Sequence, residues 1–383
     1  MRRVVSLAAL TGALLLLYTS GVLAQPQGPT QNIPDQYIVV FEEGVRDPAA
    51  AADEHARENG LRVGFVYANA LEGYAAVFPN DRALQRVQND PRVAYVEQDQ
   101  VARAVAQTLP WGIDRVDADT SSTLAGNSSG GVPNVNAYVI DTGIYRHADL
   151  NVVGHVNFAG GKNTDCNGHG THVAGTVAAK DNTSDVVGVA PGAPLTGVKV
   201  LGCNGSGSYS GVIKGVDWVT ANAKKPAIAN MSLGGPVSQA LDDAVTNSAA
   251  GGVFYSLAAG NDGADACASS PARVGAGTDN GIATVAATNK EDGETSWSNY
   301  GSCVDVWAPG ASILSTKKGG GTTTMSGTSM AAPHVGGGGA LYLANNTDAS
   351  PSTVEGALRS SATTTANKSK DGAAIVREYV GGF

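Results

Sequence analysis

Apolar positions fall into two patterns along the chain. In the first, short strand-like runs alternate with capped helices between residues 36 and 99. Tyr37-Ile38-Val39-Val40-Phe41 reads as a strand. Asp47-Pro48 opens a helix as cap and first helical position, and Asn59-Gly60 ends it. Residues 61–78 hold two strand-like runs around Asn69-Ala70-Leu71-Glu72-Gly73. Residues 81–88 are a second helix, and Val93-Ala94-Tyr95-Val96 is a last strand. The order β-α-β-β-α-β predicts a small α+β, ferredoxin-like domain. From Pro110 the pattern changes. Strand-like runs at 136–140, 196–200, 228–231, 253–258 and 284–287 are interleaved with helical stretches at 169–179, 209–223 and 238–250. A further helix-compatible run covers 330–345. Strands alternating with helices predict an α/β domain with a parallel sheet. Such sheets form their sites at the carboxyl ends of strands. Asp141 lies at one such end, and Asn261 follows another past the turn at Gly260.

Residues 1–24 read as an export signal. Arg2 and Arg3 begin it, 7–18 form a short apolar core, and Val22-Leu23-Ala24 resembles a cleavage site. The core is short for a membrane span, and no later stretch reaches its length. Residues 25–35 are polar and rich in Pro and Gly, as a linker would be. The 383 residues are 42% hydrophobic and 15% charged, which suits a globular chain with a large core. The net charge of −9 argues against a nucleic-acid surface and for simple solubility. Export permits disulfides among Cys166, Cys203, Cys267 and Cys303, and four cysteines allow three pairings. A zinc site is the alternative, but the spacings contain no C-x-x-C pair.

The candidate chemistry begins at Ser326-Gly327-Thr328-Ser329-Met330-Ala331-Ala332-Pro333-His334. A serine at a helix start sits among free backbone N–H groups at the positive end of the dipole. That suits a nucleophile whose attack creates an oxyanion, although a plain helix cap has the same appearance. A hydroxyl nucleophile needs a base, and the base needs an orienting carboxylate. Two histidines occur in Gly168-His169-Gly170-Thr171-His172, and a carboxylate ends the apolar run of Tyr138-Val139-Ile140-Asp141-Thr142-Gly143. The chain order is therefore Asp, His, Ser, and the serine motif is G-x-S-x-A rather than G-x-S-x-G.

These three segments resemble the signatures of subtilisin-like serine proteases. Pro110-Trp111-Gly112, Asn230-Met231-Ser232-Leu233-Gly234-Gly235, Ala258-Ala259-Gly260-Asn261 and Ser298-Asn299-Tyr300-Gly301-Ser302-Cys303 add to the likeness. Together they resemble the proteinase K branch, aqualysin-type enzymes above all. The resemblance implies a subtilisin-like three-layer domain with a parallel sheet, preceded by an inhibitor-type propeptide. On that basis 1–24 is the signal, 25–103 the propeptide and 104–383 the protease. The propeptide would template folding and lay its tail, 97–105, in the cleft until cut near Ala104.

The same resemblance makes Ser329 the nucleophile, His169 the base and Asp141 its partner. His172, the rival base, and His334 become structural residues. Asn261 would donate to the oxyanion, where a plain Gly-Asn turn is the alternative. Gly205, Ser206, Gly207, Ser232, Leu233 and Gly234 would pair with substrate as flanking strands, or else be ordinary loops. Small residues Ala258, Ala259 and Gly260 would line the specificity pocket, implying broad specificity with an apolar or aromatic preference. The resemblance pairs Cys166 with Cys203 and Cys267 with Cys303. It also implies structural calcium, held by Asp305 with the carbonyls of Asn280 and Ile282, and by Asp114 and Asp117. Surface aspartates without metal are the alternative. A secreted monomer acting on proteins and peptides is expected, inhibited by its own propeptide, with no membrane partner after signal removal. The runner-up is a non-catalytic secreted binding protein on the same fold; an esterase would keep the triad. Two features depart from the family. Gly336-Gly337-Gly338-Gly339 stands where alanines are usual, and the tail 363–383 does not match.

Overall fold

The computed structural model describes residues 32–100, 107–275, 277 and 279–383. The chain forms two compact units, 1–103 and 104–383. The signal expected at 1–24 lies outside the described residues.

The first unit runs β1 (Asn32–Phe41), α1 (Pro48–Asn59), β2 (Arg62–Ala68), β3 (Glu72–Val77), α2 (Asp81–Gln88) and β4 (Val93–Gln100). Its antiparallel sheet has the order β2-β3-β1-β4, the ferredoxin-like arrangement. The caps act as their chemistry dictates. The Asp47 carboxylate accepts from the Ala50 N–H, and Gly60, in the left-handed region at φ 70°, donates to the Ala56 carbonyl. The core holds Val39, Phe41, Ala52, Tyr74, Phe78 and Val87. Two expectations are corrected. Residues 32–35, read as the end of a linker, belong to β1. Residues 97–100, read as the start of a tail, continue β4, with Gln98 and Glu97 opposite Tyr37 and Ile38. Residues 101–105 of that tail lie outside the described residues.

The second unit opens with short α3 (Trp111–Arg115). It continues β5 (Asn136–Asp141), β6 (Val152–Asn157), α4 (His169–Ala178), β7 (Leu195–Lys199), α5 (Tyr209–Asn222), β8 (Ala227–Met231) and β9 (Gly235–Pro236). Then come α6 (Gln239–Ala250), β10 (Phe254–Ala258), β11 (Ser269–Ser270), β12 (Ile282–Thr288), β13 (Val306–Pro309), β14 (Ile313–Thr316) and β15 (Thr322–Met325). Last are α7 (Thr328–Asn345), α8 (Pro351–Ser361), β16 (Thr363–Lys368) and β17 (Ala374–Arg377). One nine-stranded sheet has the order β16-β17-β13-β12-β10-β8-β5-β7-β6, parallel except for its β16–β17 edge. β9 pairs with β11, and β14 with β15. Strands β5, β8, β10 and β12 are covered on both faces, as parallel strands must be. One face packs on α4 and α7 through Val139, Val173, Val177 and Val335. The other packs on α5 and α6 through Ile140, Val216, Val245 and Leu257.

Helix α7 starts at Thr328, two residues before the expected 330. Ser329 is thus inside the first turn, and Pro333 falls in the second turn rather than the first. Proline has no N–H for the carbonyl four residues back, so Ser329 loses an intrahelical partner. The Ser232 hydroxyl replaces it at 2.8 Å. The glycine run is explained by contact. A Cβ on Gly336 would lie 2.8 Å from Ser256 Oγ, on Gly337 2.5 Å from Val189 Cβ, and on Gly339 2.6 Å from the Phe254 ring. On Gly338 it would collide with the buried Glu378 carboxyl. Close packing therefore offsets the helix-propensity cost of about 1 kcal/mol per glycine.

Candidate active site

Asp141 is the last residue of β5 and fully buried. His169 is the first residue of α4, and its Nδ1 lies 2.8 and 3.0 Å from the two Asp141 oxygens. Close approach of these elements depends on Gly170, whose Cβ would collide with the Gly143 carbonyl. Burial pushes the His169 imidazole down, but the Asp141 charge and hydrogen bond outweigh it, so the net shift is upward. A carboxylate on Nδ1 leaves Nε2 as the free base nitrogen. Ser329 Oγ donates to the Ser232 carbonyl at 3.3 Å and not to His169. Nucleophile–base bonds are often long before substrate binds.

The other two histidines of these motifs are structural. His172 Nε2 faces the carbonyls of Ile313 and Thr323 at 3.0 and 3.1 Å, and burial pushes its imidazole down to about 4. His334 Nδ1 bonds the Met330 carbonyl at 2.8 Å; burial pushes its imidazole likewise to about 4. Its ring occupies the space where Gly112 would otherwise carry a side chain, which accounts for the glycine of Pro110-Trp111-Gly112.

Asn261 stands at the exposed end of β10. Its Oδ1 accepts from the Thr328 N–H at 2.9 Å and the Thr328 hydroxyl at 3.0 Å. A backbone N–H can only donate, so the oxygen faces Thr328 and Nδ2 is left free to donate elsewhere. Asn299 braces this turn. Its Nδ2 donates to the Ala259 carbonyl, and its Oδ1 accepts from the Asp262 and Ala264 N–H groups. It fills the space beside Gly260, which has φ +107° and tolerates no Cβ there.

Several residues that hold the site escaped the sequence reading. Asp165, 1% exposed, accepts from the N–H groups of Gly168 and Thr171 at the start of α4 and from both the Thr142 and Thr171 hydroxyls. Lys199, also 1% exposed, donates to the Thr142 and Leu201 carbonyls at 2.8 and 2.7 Å. A buried chain links Ser256 to Asn230, Asn230 to Ser232, and Ser232 to the Ser329 carbonyl. The sequence signal for this chain was the Asn-x-Ser of Asn230-Met231-Ser232, inside a motif read for the family likeness and for substrate pairing by Ser232, Leu233 and Gly234.

Two cavities meet at this site. One, of about 490 Å³, is lined by Ala258, Ala259, Gly260, Asn261 and Ser329, with Asp262 the one charged lining residue among the described residues. The other, of about 390 Å³, is lined by His169, Gly205, Ser206, Gly207, Ser232, Leu233 and Gly234. Leu233 and Gly234 border both. All six expected substrate-pairing residues thus come together beside His169. Both expected disulfides are formed, Cys166–Cys203 and Cys267–Cys303. They close loops of 37 and 36 residues, each worth about 4 kcal/mol in the chain-entropy account.

The expected calcium ligands separate into two cases. Asp305 Oδ2 accepts from the Thr284 N–H at 2.8 Å, while its Oδ1 is buried with no partner among the described residues. A buried carboxylate of this kind, bonded to β12, whose first residue is Ile282 and which Asn280 precedes by two positions, fits a hard cation. Asp114 and Asp117 do not fit one as well. The Arg377 guanidinium lies 3.9 Å from Asp117 as a built-in counter-ion. Among the described residues, no three His, Cys, Asp or Glu side chains converge to hold a metal.

A buried carboxylate–imidazole pair at the carboxyl edge of a parallel sheet, with a serine in the first turn of the central helix, defines a serine-type hydrolase. Comparison with known proteins narrows the class. The model of the Subtilase family matches residues 135–381, and that of Peptidase inhibitor I9 matches 36–104. The extracellular serine proteinase of Thermus sp. (strain Rt41A) is 44% identical over 369 residues, covering 86% of this chain and 85% of that protein. The alkaline serine exoprotease A of Vibrio alginolyticus is 43% identical over 365 residues, covering 87% of this chain and 65% of that protein. The crystal structure of a cold adapted subtilisin-like serine proteinase matches with a TM-score of 0.63 at 44% identity. The match covers 72% of this chain and 99% of that one. The chain belongs to the subtilase family. It is a subtilisin-like serine endopeptidase with an I9-type inhibitor propeptide.

Proposed function

We propose that the protein is exported as a precursor, matures near Ala104 and hydrolyses proteins outside the cell as a monomer, through Asp141, His169, Ser329 and Asn261. The observation that carries this reading is the Asp141–His169 pair, at 2.8 Å, beside a cavity shared by Ser329 and Asn261. Ser329 Oγ attacks the peptide carbonyl and passes its proton to His169 Nε2. The oxyanion takes hydrogen bonds from Asn261 Nδ2 and the Ser329 N–H. The C–N bond breaks, and the amine leaves with the His169 proton. Water then repeats the sequence on the acyl-enzyme. Segments 205–207 and 232–234 flank an extended substrate, and their glycines allow its backbone to approach.

Small walls at Ala258, Ala259 and Gly260 support an apolar or aromatic preference before the scissile bond. Peptide anilides with Phe or Leu at that position are expected to be cleaved faster than those with Lys or Arg. The reverse order would give exposed Asp262 the leading role. The first unit ends at Arg103 and the inhibitor match at 104, which supports maturation there. N-terminal sequencing of the secreted enzyme is expected to start within a few residues of Ala104. A start before Val93 would reject the propeptide assignment.

Calcium at Asp305 is part of the same proposal, as a structural ion that takes no part in bond breaking. Binding to the folded state alone stabilises by roughly 2.7 kcal/mol at a hundredfold excess over Kd. Chelation is therefore expected to lower the Tm of the wild type and to leave that of Asp305→Asn almost unchanged. Equal shifts in both would remove the ion from Asp305.

A further inference from the structure

We propose that His155 is a positioning residue for catalysis: its neutral imidazole holds the backbone turn after Asp141, and its protonation in acid releases that turn. The inference rests on the assignment of Asp141 made above and extends it to a residue of β6, the strand beyond β7 in the sheet.

β5 ends at Asp141, and the chain turns through Thr142, Gly143 and Ile144. The Ile144 N–H donates to His155 Nε2 at 3.0 Å. An amide can only donate, so Nε2 carries no proton. On the other side of the ring, Nδ1 lies 2.6 Å from Asn163 Oδ1. The Asn163 amide nitrogen in turn donates to the His155 carbonyl at 3.3 Å, which fixes its oxygen toward the ring. The imidazole is therefore the neutral Nδ1–H form. It fills a slot between two backbones. A Cβ on Gly143 would lie 2.7 Å from Nε2, and one on Gly197 2.5 Å from Cδ2. Gly143 has φ +97°, so the turn itself demands glycine.

This turn determines where Asp141 sits. The Thr142 N–H donates to Asp141 Oδ1 at 2.6 Å, and the Thr142 carbonyl accepts from Lys199. Moving Ile144 moves Thr142, and with it the carboxylate that orients His169. Protonation of His155 would set an Nε2–H against the Ile144 N–H, two donors with no acceptor between them. The charged groups that bear on the ring give little relief. Lys199 on β7 is a like charge. Asp165 attracts the imidazolium, but its oxygens already serve Thr142, Asn167, Gly168 and Thr171. Arg146 lines the cavity of about 560 Å³ that His155 also lines, and it brings no negative charge there. Burial is the largest influence on His155 and holds its imidazole below the ordinary range. His169 is held above it, so the two protonate at separate pH values as the medium is acidified.

The test is kcat/KM against pH for the secreted enzyme matured from the full chain. Log kcat/KM of the wild type should fall with unit slope as His169 protonates, then steepen to about two as His155 follows. His155→Phe, which has no acceptor, should lower kcat at neutral pH roughly tenfold, leave KM unchanged and lose the second slope. His155→Gln offers its side-chain oxygen to Ile144. It should recover most of the neutral kcat and also show a single slope. Wild-type kcat with a slope of two in His155→Phe overturns the proposal, as does equal impairment of both variants. If His155→Phe does not fold, the profile of His155→Gln decides, and a slope of two rejects the role. Failure of the Asp141 assignment would look different. Asp141→Asn would then keep wild-type kcat, whereas failure of the His155 inference leaves Asp141→Asn inactive.

Discussion

Ser329→Ala is expected to lower kcat by about 10⁶-fold, the size of loss found when the nucleophile of a subtilisin is removed. The structure gives the reason for so complete a loss without unfolding. Among the described residues the Ser329 hydroxyl makes one long hydrogen bond, to the Ser232 carbonyl at 3.3 Å. What anchors the residue is its carbonyl, held by Ser232 because Pro333 supplies no donor. Alanine keeps that anchor, the helix and the free N–H. It removes only the atom that attacks, and the oxyanion donors together with substrate binding retain about 10³ to 10⁴ over water. Maturation requires the same hydroxyl, so the variant should accumulate as the full precursor while the wild type is cut near Ala104. Hydrolysis of an apolar peptide anilide and a gel of the secreted protein measure both effects. Equal cleavage by the two proteins would mean that another group attacks.

The sequence revealed what repeats or caps. The βαββαβ order of the first unit and the strands of the central sheet followed from apolar runs and from Asp47, Pro48 and Gly60. It revealed less where a strand is short or polar. β13 has four residues, β16 is Thr-rich, and β17 reaches β13 through one paired position, Trp307 with Arg377. The tail 363–383 therefore looked unmatched, although it completes one edge of the sheet. Helix α8 was missed although Ser350 caps it at Thr353 and Pro351 opens it.

The reacting groups were legible because their motifs are distinctive, and the groups that hold them were not. Asp165, Lys199, Asn230 and Asn299 are buried polar residues, and a pattern of apolar positions gives no sign of which polar side chain turns inward. Their energetic weight comes from burial, since each bond they lose would leave an unsatisfied group worth about 1 to 3 kcal/mol. The disulfide pairing was legible only through the family resemblance. Spacing alone left three choices, and the folded chain shows the pairing that the resemblance implied, Cys166–Cys203 and Cys267–Cys303.

Asn261→Ala is expected to lower kcat by about 10² to 10³, with little change in KM, as for the corresponding donor in subtilisin. The argument turns on which end of the amide faces the substrate. Thr328 N–H and Oγ1 approach Asn261 Oδ1 at 2.9 and 3.0 Å. Since the N–H can only donate, Nδ2 must face away from Thr328, beside the first turn that carries Ser329. The donor is thus set before substrate arrives. Asn299 and the positive φ of Gly260 hold the turn that carries it. A donor fixed in advance acts on charge that develops only in the transition state, so its loss appears in kcat. Alanine also removes the acceptor for Thr328, and Asn261→Asp separates the two effects. Aspartate still accepts from Thr328 but offers the oxyanion a negative oxygen in place of a donor. It should be impaired at least as much as alanine. If aspartate instead restores kcat, Asn261 matters for bracing α7 and not for the oxyanion. If KM rises while kcat holds, it binds substrate in the ground state.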